Sequence, residues 1–220
     1  MKLFICGDST AASYPREDWP LTGWGQVLGE YLPGVAIENR AAAGRSTKSF
    51  IAEGRLQQIE TEIRPGDALL IQFAHNDEGN LTWRRTEAWS SYVNNLSIFI
   101  DTARQNGAHP VLITPICLCD WKDGALRPSH GEYLEAMRAL AARRGVPLID
   151  AYADTFDCVK ALGEKSRGLY MCLEKGAFDN YPDGHEDTTH TQEAGARAFA
   201  RLIARRLEPL LNEFNRNGGC

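Results

Sequence analysis

KLFICGDSTAAS, residues 2–13, is the stretch on which the reading of the whole chain turns. A run that is apolar from Leu3 to Cys6 stops abruptly at Gly7-Asp8-Ser9. A short apolar run closed by such residues reads as a strand covered on both faces. The glycine, acid and hydroxyl behind it have two readings. One is a surface turn in which Ser9 or Asp8 caps a following helical turn. The other is a nucleophile held at the mouth of a sheet.

The same kind of run recurs downstream. VAIEN (35–39), DALLIQFA (67–74), PVLITPI (110–116) and VPLIDAY (146–152) all read as strands. Between them lie stretches with helical spacing. Residues 24–32 place Trp24, Val27, Leu28, Tyr31 and Leu32 on one side, and Pro33-Gly34 stops them. Residues 48–63 carry Phe50, Ile51, Leu56, Ile59 and Ile63, ended by Pro65-Gly66. Further helices are expected over about 86–105, 131–144 and 154–175, and from near Thr191 to about 213. Strands alternating with helices predict a three-layer α/β/α fold around a five-stranded parallel sheet. With no linker in sight, residues 1–220 are read as a single domain.

In such sheets ligands bind outside the carboxyl ends of the strands. The segments that follow the strands are Gly7-Asp8-Ser9, Asn39 to Ser46, His75-Asn76-Asp77, and Cys117 to Trp121. Small and polar residues gather where this architecture places its chemistry.

Composition removes several classes of function. A net charge of −5 gives nucleic acid no electrostatic reason to bind. Arg143-Arg144 and Arg205-Arg206 read as solvated helix faces. No apolar run nears the ~20 residues of a membrane span. Four apolar residues between Lys2 and Gly7 fall short of a secretory core of roughly 7–15 residues. The expectation is a cytoplasmic protein without membrane or nucleic-acid partners; its oligomeric state is not legible. Cys6, Cys117, Cys119, Cys158, Cys172 and Cys220 are dispersed, and read as buried free thiols rather than a disulfide or zinc framework. There is no P-loop, no GxGxxG opening a helix and no GxSxG elbow, so no cofactor and no metal is expected.

If Ser9 is a nucleophile it needs a base, and five histidines compete for the role. His109 begins the fourth strand and His130 lies near a helix start, so both are expected on the opposite rim or at the surface. His190 stands three residues after Asp187 in EDTTHTQEAG, just before the last helix. A carboxylate at that separation can fold back onto the imidazole Nδ1–H and leave Nε2 free to take a proton. His185 and His190 are five apart, so on a helix they would diverge by about 140° and could not serve as a zinc-protease pair. Gly44, in NRAAAGRST after the second strand, can bring its N–H close to a substrate. Asn76, after the third strand, can add its side-chain amide. A helix starting at Ser9 would add partial positive charge for an oxyanion. The plain alternatives are a turn glycine at Gly44 and capping at Asn76-Asp77.

A serine, glycine, asparagine and histidine in this order resemble the SGNH (GDSL-type) hydrolase superfamily, from residue 7 to about 200. GDSTAA, GWG (23–25), NRAAAGRST, HND and DTTHTQEAGA look like its rhamnogalacturonan acetylesterase branch, of which His75 before Asn76 is characteristic. The resemblance implies an SGNH, flavodoxin-like fold and a serine esterase that removes acetyl groups from acetylated rhamnogalacturonan oligosaccharides. Acetylated xylan, short-chain acyl esters, and a catalytically silent carbohydrate-binding relative are the alternatives. It implies Ser9 as nucleophile, His190 as base, Asp187 as its orienting acid, and an oxyanion hole of Ser9, Gly44 and Asn76. Substrate contacts are expected from His75, Trp24 and Arg45; Trp83, Trp121, Arg84 and Arg85 are further candidates for stacking or for carboxylate recognition. Ala74 stands where the branch usually has glycine, and its methyl is expected to narrow the pocket or shift the His75-Asn76 turn.

Overall fold

The computed structural model describes residues 1–217. Strands β1 (Lys2–Gly7), β2 (Ala36–Asn39), β3 (Ala68–Gln72), β4 (His109–Ile113) and β7 (Leu148–Ile149) form one parallel sheet in the order β2-β1-β3-β4-β7. Helices α1 (Trp24–Val27), α6 (Ala151–Leu162) and α7 (Glu193–Asn217) cover one face. Helices α2 (Thr47–Ala52), α3 (Arg55–Glu62), α4 (Val93–Gln105) and α5 (Gly131–Arg144) cover the other. The expected three-layer α/β/α architecture is the observed one.

Alternation along the strands divides the core in two. Leu3, Ile5, Leu70, Val111 and Ile113 pack against Trp24 of α1 and Phe199, Ile203 and Leu207 of α7. Phe4, Cys6, Leu69, Ile71 and Leu112 face α2 to α5, where Phe50, Phe73 and Phe99 meet with ring centroids 5.3–5.8 Å apart. Both faces of the central strands β1, β3 and β4 are therefore dry, which is why these read as apolar runs, whereas the edge strand β2 is only partly covered.

Several boundaries differ from the sequence expectation. The 24–32 segment is one α turn followed by a 3-10 turn, Leu28–Tyr31. The 48–63 helix is two helices, because Gly54 takes φ +70° between them. The 86–105 helix opens with a π turn, Ala88–Tyr92. The fifth strand is only two residues long: Asp150 accepts a hydrogen bond from the Ala153 N–H (3.2 Å) and starts α6 directly behind it. The largest correction lies in 154–175. The α-helix stops at Leu162, a 3-10 stretch runs to Leu169, and Tyr170–Leu173 is strand β8, paired antiparallel with β9 (His185–Thr191). Cross-strand pairing overrides the helical spacing there. A short hairpin, β5 (Trp121–Lys122) with β6 (Ala125–Leu126), stands where the sequence pattern marks no strand.

Among the described residues the five cysteines are free thiols. Cys6, Cys117 and Cys119 are buried, but Cys158 and Cys172 are only half-buried; Cys220 lies outside the described residues. No described helix is long and apolar enough to cross a membrane.

Candidate active site

The chain leaves β1 toward β2 and leaves β3 toward β4, so the carboxyl ends of these two central strands border the topological switch point of the sheet. A cleft of about 420 Å³ opens there, and Ser9, Gly44, Asn76, Asp187 and His190 all line it. Ser9 Oγ lies 2.8 Å from His190 Nε2, and His190 Nδ1 lies 2.6 Å from Asp187 Oδ2. A larger cleft of about 470 Å³, between Arg16, Glu17, Trp19 and Asn180, holds no such pair.

The Asp187 side follows from a bulge. Leu173, Cys172 and Met171 of β8 pair with His185, Glu186 and Asp187 in turn, but the next residue, Tyr170, pairs with Thr191. Thr188, Thr189 and His190 are thus pushed out of the ladder. Asp187 Oδ1 accepts the Thr189 and His190 N–H groups at 2.7 and 3.0 Å, which closes the bulge and points the imidazole at Ser9. Burial alone would raise the Asp187 carboxyl; its bonds to the His190 ring and to these backbone N–H groups outweigh it and hold the group at about 2. The polar segment before the last helix is therefore an irregular strand.

The Ser9 side is built differently. No helix starts there: Ser9 sits in a tight turn, with Ala11 N–H donating to Asp8 O and Ala12 N–H to Ser9 O. Any positive field at the serine comes from local N–H groups, not from a helix terminus. Asp8 is fully buried and is not a helix cap. It accepts from Thr10 N (2.9 Å), Thr10 Oγ1 (2.8 Å) and Gln72 Nε2 (3.1 Å), and lies 3.0 Å from His75 Nδ1. Those contacts tie the end of β1 to the end of β3, beneath Ser9 and Asn76. Burial opposes the Asp8 charge, yet His75 and Thr10 lower its pKa; burial likewise opposes the His75 charge, yet Asp8 raises it. The two form a buried, hydrogen-bonded acid–imidazole pair. The Tyr14 hydroxyl donates to Ser9 O at 2.7 Å from the rim.

Gly44 takes φ +78°, a conformation L side chains rarely adopt. Asn76 is buried and donates one amide hydrogen to Arg45 O at 2.9 Å, which leaves the other for the cleft. Asp77 takes the N–H and hydroxyl of Thr47 and the hydroxyl of Thr86, fastening the start of α2 and the loop before α4 to the end of β3. Burial pushes it up to about 7 against those bonds.

The three expected substrate contacts are not in the cleft. Trp24 is fully buried and its Nε1–H donates to Gln72 Oε1 at 3.3 Å. The GWG motif explains this: a Cβ on Gly23 or Gly25 would stand 2.2 Å from Ala12 O or 2.4 Å from Ala11 O, so only glycine lets α1 close onto the turn behind Ser9. His75 is turned into the protein toward Asp8, and its buried Nε2 has no partner among the described residues. Arg45 is held at the surface by Glu53. Ala74 is packed in the core with Phe73 and away from the cleft, so its methyl narrows nothing. His130, expected on the opposite rim or at the surface, is buried between Glu78 and Ile116 O, edge-on to His75. Tyr14, Met171, Tyr181 and His185 line the cleft and carry no motif that could have singled them out.

A doubly wound sheet with hydroxyl, imidazole and carboxylate in series at its switch point defines a hydrolytic enzyme of the serine type. The comparison with known proteins makes that class specific. Residues 5–198 match the GDSL-like lipase/acylhydrolase family, and the chain belongs to it. It is 43% identical to the rhamnogalacturonan acetylesterase RhgT of Bacillus subtilis, over 96% of this chain and 90% of that one. It is 36% identical to a probable rhamnogalacturonan acetylesterase, YesY, of the same organism, over 94% and 93%. The crystal structure of B. subtilis YxiM superposes with a TM-score of 0.80 at 27% identity, covering 95% of this chain and 56% of that one.

Proposed function

We propose that the protein is a serine carbohydrate esterase that removes acetyl groups from acetylated rhamnogalacturonan oligosaccharides. The observation that carries the chemistry is the unbroken series Ser9 Oγ, His190 Nε2, His190 Nδ1, Asp187 Oδ2, with separations of 2.8 and 2.6 Å. The identity to RhgT and YesY supports the substrate class.

In this reading Ser9 Oγ attacks the acetyl carbonyl carbon while His190 Nε2 takes its proton. Asp187 stabilises the imidazolium and keeps the ring oriented. The negative oxygen is held by the N–H groups of Ser9 and Gly44 and by the free amide hydrogen of Asn76. Collapse breaks the ester bond; the sugar oxygen leaves with the proton from His190, and the acetyl group stays on Ser9. Water then attacks the acetyl-serine with His190 as base, releasing acetate and restoring the hydroxyl. Leu21, Ala43 and Met171 supply aliphatic surface in the cleft against which the acetyl methyl can pack.

The test is acetate release from acetylated rhamnogalacturonan oligosaccharides against acetylated xylo-oligosaccharides and p-nitrophenyl acetate. Preference for the first supports the proposal. Equal or better turnover of the xylan esters would overturn the substrate, and activity surviving in Ser9→Ala would overturn the mechanism.

A further inference from the structure

Of the three arginines that flank the loops around the cleft, two are neutralised. Arg45 pairs with Glu53 at 3.0 Å and Arg85 with Glu87 at 3.4 Å. Arg84 has no carboxylate partner among the described residues, and it is the one that lines the cleft. Its Nη1 donates to Gly44 O at 3.1 Å, its guanidinium carbon stands 5.5 Å from the centre of the Trp83 ring, and its buried Nε has no hydrogen-bond partner. One carbonyl and one aromatic ring do not satisfy a group with five donors and a full charge. Holding a cation partly out of water without a counter-charge is unfavourable unless something arrives to balance it.

The segment that carries it is held at both ends. The Arg84 and Arg85 N–H groups both donate to Leu81 O, Lys48 Nζ donates to Thr82 O, and Thr86 is bound to the buried Asp77. The guanidinium is presented beside Gly44 by a fixed turn.

We infer that Arg84 is a specificity-determining residue that binds the carboxylate of an acidic sugar, a uronate, on the acetylated residue or its immediate neighbour. The inference rests on the esterase reading above and deepens it. A planar guanidinium matches a carboxylate with two parallel N–H···O bonds, which a neutral sugar cannot supply. The exposed ring of Trp83 beside the guanidinium offers a face on which the sugar ring itself can lie. Among the described residues, the carboxylate that lines the cleft is Asp187, and it is occupied by His190, so an incoming anion meets Arg84 as the uncompensated charge.

The experiment compares kcat/KM for an acetylated uronate oligosaccharide with that for its uronate methyl ester, in wild type, Arg84→Gln and Arg84→Lys. Binding of the deacetylated oligosaccharide and of its methyl ester is measured beside it by calorimetry. The wild type is expected to favour the free acid by about 10- to 100-fold, mostly through KM, as suits a charge-assisted pair. Arg84→Gln should bring the ratio close to one, and Arg84→Lys should keep part of it. If Arg84 served only to hold the Gly44 loop, Arg84→Gln would slow the acid and its methyl ester equally and leave the ratio unchanged; that result overturns the inference. So does a wild type that does not distinguish acid from methyl ester in turnover or in binding. Failure of the wild type to turn over any ester, with Arg84-dependent binding of the free acid intact, would strike the esterase reading and spare the anion site.

Discussion

The two halves of the candidate relay are held by opposite means. Ser9 stands on a turn whose neighbour Asp8 is fully buried and contacts Thr10, Gln72 and His75, so its position is set by the register of β1 against β3. Asp187 and His190 sit on a bulge of a two-stranded hairpin, partly exposed, and their arrangement is closed by contacts spanning three residues. One half is anchored by a long-range buried network and the other by local chain geometry. The contrast teaches where each is vulnerable: the serine side to loss of buried charge, the histidine side to loss of a single carboxylate.

Removing the reacting group sets the scale. Ser9→Ala should lower kcat on p-nitrophenyl acetate by about 10⁴-fold or more while leaving the melting temperature near that of the wild type. Retention of most of the turnover would dissolve the comparison, because neither half would then matter. Next in size is Asp8→Asn. It removes a buried carboxylate that Thr10, Gln72 and His75 all contact and is expected to destabilise the fold by about 3–5 kcal/mol in urea titrations. A loss under about 1 kcal/mol would show that the sheet register alone locates the Ser9 turn. Asn76→Ala should cost about 10²–10³ in kcat with KM little changed, since it removes a donor to the developing oxyanion; a change confined to KM would move Asn76 out of that role.

The smallest expected effect belongs to the histidine side. The folded Asp187 carboxyl, at about 2, lies below its unfolded value of about 3.9, so it binds its proton less readily when folded. Its contribution to stability is present above about pH 4 and is lost as the pH falls toward 2. After allowance for partial exposure it is about 1 kcal/mol. Urea midpoints measured between pH 2 and 5 should fall less steeply in Asp187→Asn than in the wild type. Identical slopes would mean that the bulge, not the charge, holds the segment.

Much of this is legible in the amino-acid sequence. The apolar runs at 2–6, 67–74 and 110–116 mark the three central strands because these are dry on both faces, while β2 at 35–39 is a partly exposed edge strand. Once the sheet is parallel, residues just after each strand must share one edge, and Ser9, Gly44 and Asn76 follow from that. The pairing of Asp187 with His190 needed only their separation of three. What failed was local reading where the chain lacks periodicity. HEDTTHT is polar throughout and does not announce a strand, and 170–173 shares its apolar residues with the helical pattern before it.

The amino-acid sequence by itself determined which residue types reach the carboxyl edge of the sheet, because strand polarity and alternation depend on short-range pattern. Which way those side chains face was decided only by the tertiary structure. Read along the chain, Trp24, His75 and Arg45 are the expected substrate contacts and Arg84 is a further candidate. Glycines that admit α1, a buried Asp8 and a nearby Glu53 turn the first three away, and Arg84, with no carboxylate partner among the described residues, stays in the cleft. Orientation is settled by whichever partner comes within reach in space, and such partners stand up to 67 positions away in the chain.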